Sequence, residues 1–213
     1  MKIFTKISMI ALISLFCLQS NAQTFGLKAG LNLSNMLIKD NDENSDLNNI
    51  PGFHIGAIVD MPFNEFLSFE SGLLFTTKGY KFEEEELFKL KAETKLYYLD
   101  IPLTLKASHD LGNGLKMFGT AGPYVGIGLS GKTKATFEGV IMDDDNINWG
   151  SSDDDDLKKL DWGLTFGGGV EINSIIIGIS YDLGLSNISA YQDYGSTIKN
   201  KVLKFSVGYM FGN

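Results

Sequence analysis

From Lys95 to Lys106 the chain reads KLYYLDIPLTLK, an alternation without a break. Tyr97, Leu99, Ile101, Leu103 and Leu105 share one parity, and Tyr98, Asp100, Pro102, Thr104 and Lys106 share the other. Successive side chains on a β-strand point to opposite faces, so this stretch has one wholly apolar face and one that carries an acid, a hydroxyl and a base. Two settings accommodate it: a sheet covering a soluble core, or a barrel strand with lipid outside and polar groups within.

The same alternation recurs in seven other places. TFGLKAGLNLS sets Phe25, Leu27, Ala29, Leu31 and Leu33 against Lys28 and Asn32, and GFHIGAIVDM sets Phe53, Ile55, Ala57 and Val59 against His54, Ile58 and Asp60. A third strand is expected over Phe66–Phe82, the opening segment is the fourth, and Leu115–Ser130 is the fifth. LDWGLTFGGGVEI, the run Ile175–Gly184, and the run from Leu203 to Phe211 complete eight. Connections after strands one, three, five and seven are long and polar, namely 35–49, EEEELFKLKAET, 131–159 and the segment before Leu203. Those after two, four and six are short, with Asn113-Gly114 and Asn173-Ser174 as turn signals. An even number of strands with long loops on one side predicts an all-β, eight-stranded antiparallel up-and-down transmembrane barrel, the long loops outside the cell. Aromatic residues collect near the expected strand ends: Tyr80, Phe82, Tyr97 and Trp162 at one, and Phe25, Phe63, Phe66, Tyr209 and Phe211 at the other. They are placed to form two interfacial girdles.

Residues 1–22 have the form of a secretory leader: Lys2 and Lys6, an apolar run from Ile7 to Leu18, then Ser20 and Ala22 before a cut at Gln23. The apolar run is shorter than the ~20 residues a membrane-spanning helix requires. The barrel domain is then 23–213. Cys17 falls in the leader, so the mature chain offers no disulfide, thiolate ligand or thiol nucleophile. The formal charge of −8 becomes −10 when Lys2 and Lys6 leave, and there is no arginine. An acidic chain without arginine is a poor ligand for nucleic acid.

Within such a barrel the polar parity points inward and carries Lys28, Asp60, Glu70, Lys78, Asp100, Lys106, Asp161, Glu171, Asp182 and Lys204, with Lys116 near one end. An eight-stranded lumen is about wide enough for side chains to fill, so these groups are expected to pair across it as a structural charge network that leaves no open channel. His54 and His109 lack metal-ligand spacing and are both expected toward the periplasmic side. G-x-S-x-G is absent, and Gly167-Gly168-Gly169 lies within a strand rather than at a strand-to-helix turn. The acidic runs 143–145 and 153–156 lack the spacing of a calcium loop and read as solvated charge. No catalytic residue, cofactor or metal is expected.

FGLKAGLNLSN, FLSFESGLLFTTKGY, YYLDIPLTLK, AGPYVGIGLSGK, DWGLTFGGGVEI and YDLGLSNIS, in that order, span nearly the whole mature chain. Together they resemble the PorT-like outer-membrane β-barrel proteins of the Bacteroidetes type, the "porin family" or outer membrane beta-barrel domain. The resemblance implies an outer-membrane location and an eight-stranded barrel, and it assigns no catalytic residue. One departure is the C-terminus, which runs past Phe211 to Gly212-Asn213 where such barrels often end on an aromatic residue. The leading expectation is a monomer with a structural or interaction role, in contact with outer-membrane lipid and with envelope or secretion-machinery proteins. Two alternatives stand beside it: a soluble or periplasmic barrel binding a small apolar ligand, and a membrane-embedded hydrolase or acyltransferase.

Overall fold

The computed structural model describes residues 23–40, 43–44, 47–84, 89–152, 155–190 and 197–211. The expected leader, Asp153 and Asp154 of the second acidic run, and the last two residues lie outside the described residues. The strands are β1 (Thr24–Asp40), β2 (Glu43–Asn44), β3 (Ile50–Pro62), β4 (Leu67–Glu84), β5 (Leu90–Gly112), β6 (Leu115–Phe137), β7 (Val140–Asn146), β8 (Leu160–Ile172), β9 (Ile175–Gly184) and β10 (Thr197–Phe211).

Eight of them form a closed antiparallel ring in the order β1-β3-β4-β5-β6-β8-β9-β10, and β10 returns to β1 in register from Phe25↔Phe211 to Lys39↔Thr197. Closure leaves no sheet edge within the wall, which is what a strand structure in lipid requires. β2 and β7 stand outside the ring on β1 and β6. At the short-turn end, Asn113 (φ 55°) and Gly114 (φ 76°) both take positive φ, the backbone that matches the right-handed twist of a two-residue hairpin. Asn64 Oδ1 accepts the backbone N–H groups of Phe66 and Leu67 and so fixes the β3–β4 turn.

The outer face is apolar around the ring, with Leu27, Leu31, Ile55, Leu73, Leu105, Ile177 and Val207 all exposed, Leu31 by 68%. A continuous belt of this kind suits hydrocarbon and not water. A soluble barrel holding an apolar ligand would need the opposite arrangement. Phe25, Phe63, Phe66, Tyr209 and Phe211 are exposed at the short-turn end as the girdle reading requires. At the other end Trp162 is exposed and Tyr97 stacks on Phe75, which in turn lies beside Phe53. Tyr80 departs from that reading: it packs against the buried cluster of Met36, Leu96, Tyr98, Leu157 and Ile188. Phe82 stands higher still on β4, opposite Ala92.

All four expected long loops are partly strand. β1 continues past Asn35 to Asp40, β5 starts at Leu90 rather than Lys95, β6 runs on to Phe137 before turning back through β7, and β10 starts at Thr197 rather than Leu203. Together the ends of β4, β5 and β6 with β7 make a four-stranded sheet that projects beyond the belt. Above the lipid no apolar face is demanded, so these strands lack the alternation that marks those below and are held by cross-strand pairs such as Lys91–Glu83 at 3.3 Å and Lys132–Asp144 at 3.6 Å. His54 also departs from expectation. β3 enters from the long-loop side at Ile50, so four residues later His54 lies buried inside the barrel, opposite Gly30 and Thr76, and not at the short-turn end.

Leu103 on β5 faces outward and its neighbour Thr104 is buried inside. Leu103→Lys is expected to cost about 2–4 kcal/mol, the penalty for a charge on the lipid face at mid-depth, and Thr104→Lys less. With cysteine probes at the same two positions, a lipid-confined quencher should reach 103 and not 104. Equal quenching would invert the assignment of the faces.

Candidate functional site

The lumen is built in layers, each placed by strand parity. Uppermost is an apolar layer in which Met36, Leu96 and Tyr98 from the wall meet Leu157 and Ile188 from the connections after β7 and β9. Trp149 closes it, its ring edge-on to Tyr98 at 5.5 Å. Among the described residues, the chain's own connections thus set an apolar stopper toward the long-loop side.

Beneath lies the larger charge cluster. Lys78 Nζ sits 2.9 Å from Asp100 and 3.0 Å from Asp161, and Lys204 Nζ lies 2.5 Å from Asp182 and 3.4 Å from Asp100. Asp161 is the hub. Its Oδ2 also accepts Tyr124 OH at 3.1 Å and Asn200 Nδ2 at 2.9 Å, and its Oδ1 accepts the Ser186 hydroxyl at 2.8 Å. The last bond ties the connection after β9 down onto the network. Lys78, wholly buried, has its ammonium 4.6 Å from the ring centroids of both Tyr98 and Tyr124. Two carboxylates and two ring faces replace the water it has lost. A Cβ at residue 126 would fall 2.6 Å from Asp100 Oδ1, so the glycine there leaves room for the cluster.

His54 lies in the same layer of the wall as Asn32 and Ser206. The Asn32 amide nitrogen donates to the carbonyls of Phe53 and Thr77, which leaves its Oδ1 to accept from His54 Nδ1 at 2.7 Å. The other ring nitrogen is 3.0 Å from the Ser206 hydroxyl. The histidine is thus satisfied within the wall. A cavity of about 50 Å³ beside it, room for a few waters, touches Glu70, Asp100, Asp182 and Lys204.

Toward the short-turn end, Lys28 pairs with Glu70 at 2.8 Å. Lys106 bridges Asp60 at 2.7 Å and Glu171 at 3.5 Å, its ammonium 5.0 Å from the Phe118 ring. A second apolar layer of Ile58, Leu74, Ile176 and Met210 packs with Phe118. Each of the ten charged residues expected on the inward face has an opposite charge within 4 Å, in three separate groups. Lys116 is exposed at the short-turn mouth, across from Glu171 in register. His109 is exposed near the same mouth. The two larger groups each hold one more acid than base, which gives the lumen a negative bias.

Several participants carry little sequence signal. Tyr98, Tyr124 and Asn32 stand on the polar parity, so their inward placement is legible, but the partners are not. Ser186, Asn200 and Trp149 come from connections or strand ends where no alternation shows which way they turn. No group of three or more histidine, cysteine or carboxylate side chains able to hold a metal occurs among the described residues.

A family model for the outer membrane protein beta-barrel domain matches residues 19–190. The chain belongs to this outer-membrane β-barrel family. Its location is accordingly the outer membrane, and its surroundings the lipid that the exposed belt fits. No curated protein matches the chain. Among solved structures, OprG from Pseudomonas aeruginosa is similar at 13% identity over 90% of this chain and 97% of its own, with a TM-score of 0.47. Ail of Yersinia pestis, solved in complex with the heparin analogue sucrose octasulfate, is similar at 17% identity over 89% of this chain and 99% of its own, TM-score 0.42. Neisserial surface protein A is similar at 13% identity over 88% and 97%, TM-score 0.43.

For this outer-membrane barrel, Lys78→Met is expected to cost about 3–5 kcal/mol, because it leaves Asp100 and Asp161 facing each other without their shared cation. Lys28→Met should cost less, since its pair is simple and reaches partial solvent. Urea titration of the refolded protein in detergent, followed by gel mobility, measures both. A Lys78→Met loss under about 1 kcal/mol would show that the network is not what holds the lumen together.

Proposed function

We propose that this chain is a monomeric, PorT-like outer-membrane barrel, exported by a leader over residues 1–22, with a structural or interaction role and no open large pore. Its long connections face the cell exterior, and its protein partners are envelope or secretion-machinery components. The observation that carries the reading is the packing inside the barrel: an apolar stopper toward the long-loop side, a buried five-residue charge cluster, and a second apolar layer that packs with Phe118 beside the Lys106 group. With the interior occupied, the surface left to do work is the one that stands clear of the membrane.

That surface is the projecting sheet. At its tip Val140, Ile141 and Met142 are exposed by 63%, 54% and 67%, next to the acidic run 143–145. Adjacent large apolar side chains in water favour burial against a partner. Repulsion from Asp143 raises the Asp145 carboxyl above the ordinary range, while hydrogen bonds from Ser152 lower that of Asp155. Asp145 accordingly takes up a proton at higher pH than Asp155. Nothing in this reading assigns catalysis to the lumen carboxylates, each of which is held by a lysine.

In planar bilayers the purified mature protein is expected to give no stable, large conductance, since an eight-stranded lumen is about wide enough for its own side chains to fill. Reproducible current steps of porin size would overturn the closed-lumen reading.

A further inference from the structure

The β3–β4 seam of the ring is interrupted toward its long-loop end. β3 and β4 pair from Pro62↔Ser68 up to His54↔Thr76, and there the ladder stops. Continued register would set Phe53 opposite Thr77, Gly52 opposite Lys78 and Pro51 opposite Gly79, yet the strands next meet at Asn48↔Lys81, one residue out of step. Pro51 has no N–H to offer, and Gly79 has φ +151° with space for no Cβ, which would lie 2.0 Å from the Thr94 carbonyl oxygen.

Backbone groups freed at depth in a membrane need partners, and here side chains supply them. The Thr77 hydroxyl accepts from Phe53 N–H at 2.7 Å and lies 3.1 Å from the Phe53 carbonyl. Asn32 donates to the carbonyls of both Phe53 and Thr77, at 2.9 and 3.0 Å, and the Ser34 hydroxyl donates to Thr77 O at 3.2 Å. Gly52 gives Thr77 the room, since a Cβ there would fall 2.1 Å from its Oγ1. The wall parts without leaving these groups unpaired.

A cavity of about 270 Å³ occupies the gap. Its lining includes Ser34, Ile50 and Lys78, buried on the lumen side, and Phe53, Lys95 and Tyr97 from the outer side. An intact sheet keeps those two sets apart, so a space touching both lies within the interrupted seam. Hydroxyls stand within it, Lys95 lines it with its ammonium paired to the partly exposed Glu93 of its own strand, and Lys78, which also lines it, has its ammonium committed to Asp100 and Asp161. Outside, the rings of Phe53, Phe75 and Tyr97 form a strip across β3, β4 and β5, with centroids 5.9 and 5.7 Å apart. The volume suits a head group and not a whole lipid chain.

We infer that this opening is a binding site for the anionic head of a single-chain amphiphile drawn from the membrane, the head in the gap beside Lys95 and the acyl chain along the Phe53–Phe75–Tyr97 strip. The inference goes beyond the closed-lumen reading and does not depend on it. The orientation proposed above decides only which leaflet supplies the ligand.

The test is an oleate titration of the mature protein in phosphatidylcholine nanodiscs, followed by amide NMR. Signals of Gly52, Thr77 and Gly79 should shift saturably. Gly163 and Gly184, a paired position at the same end of the intact β8–β9 seam, should stay fixed. Acetate, which has the head without the chain, and a hexadecyl trimethylammonium, which has the chain with the opposite charge, should leave the seam unmoved. Lys95→Glu, a change at an exposed side chain, should weaken the oleate response about fivefold or more with the rest of the spectrum unchanged. Phe75→Ala should weaken it as well. Equal shifts at both seams, an acetate response matching that of oleate, or indifference to Lys95→Glu would each overturn the assignment, whatever the conductance measurement returns.

Discussion

Hydrocarbon offers no hydrogen bond to a peptide group, and the architecture follows from that one fact. A strand can cross only with neighbours on both sides, so the sheet must close, and β10 must find β1. The register of that closure is set by side-chain parity, since a slip of one residue would turn Leu27, Ala29 and Leu31 inward and Lys28 outward. At one place where the ladder fails, between Phe53 and Thr77, three polar side chains from β1 and β4 take over the backbone's bonds. The exception obeys the same constraint as the rule.

Turning the apolar parity outward forces the polar parity into a narrow space with little water. Charges there cannot stay unpaired, because an isolated buried ion costs far more than any single contact returns. The lumen answers by interleaving lysines with carboxylates and by giving Lys78 two aromatic faces as well. One apolar layer lies between the larger charge cluster and the long-loop mouth, and a second packs with Phe118 beside the Lys106 group. The pairing is therefore less a source of net stability than a condition for the fold to exist with these residues inside.

The eight strands of the wall were legible because lipid outside and charge inside write a period of two into the sequence. The ten inward charges were legible for the same reason, residue by residue, from their parity. Which carboxylate meets which lysine was not, because Lys78 reaches Asp161 across the lumen, a relation that depends on barrel curvature and not on spacing along the chain. Tyr80 illustrates the other limit. Near the end of the span, an aromatic ring can serve the girdle or the stopper equally well, and only the loops folding back over the mouth decide. The projecting strands escaped for a third reason: in water neither face has to be apolar, so β7 reads as a polar loop although it pairs along β6.

The pairing of β1 with β10 joins nearly the first described residues to the last, Phe25 to Phe211. Such a contact cannot form while the chain is still being made or exported, for one partner does not yet exist on the far side of the inner membrane. Until it forms, β1 and the growing end of the sheet both present open edges and an apolar face, the conditions under which chains stick to one another. Closure thus waits until β10 has crossed. The long contact order that seals the finished barrel also imposes a waiting period during which escort proteins must keep it apart from its copies.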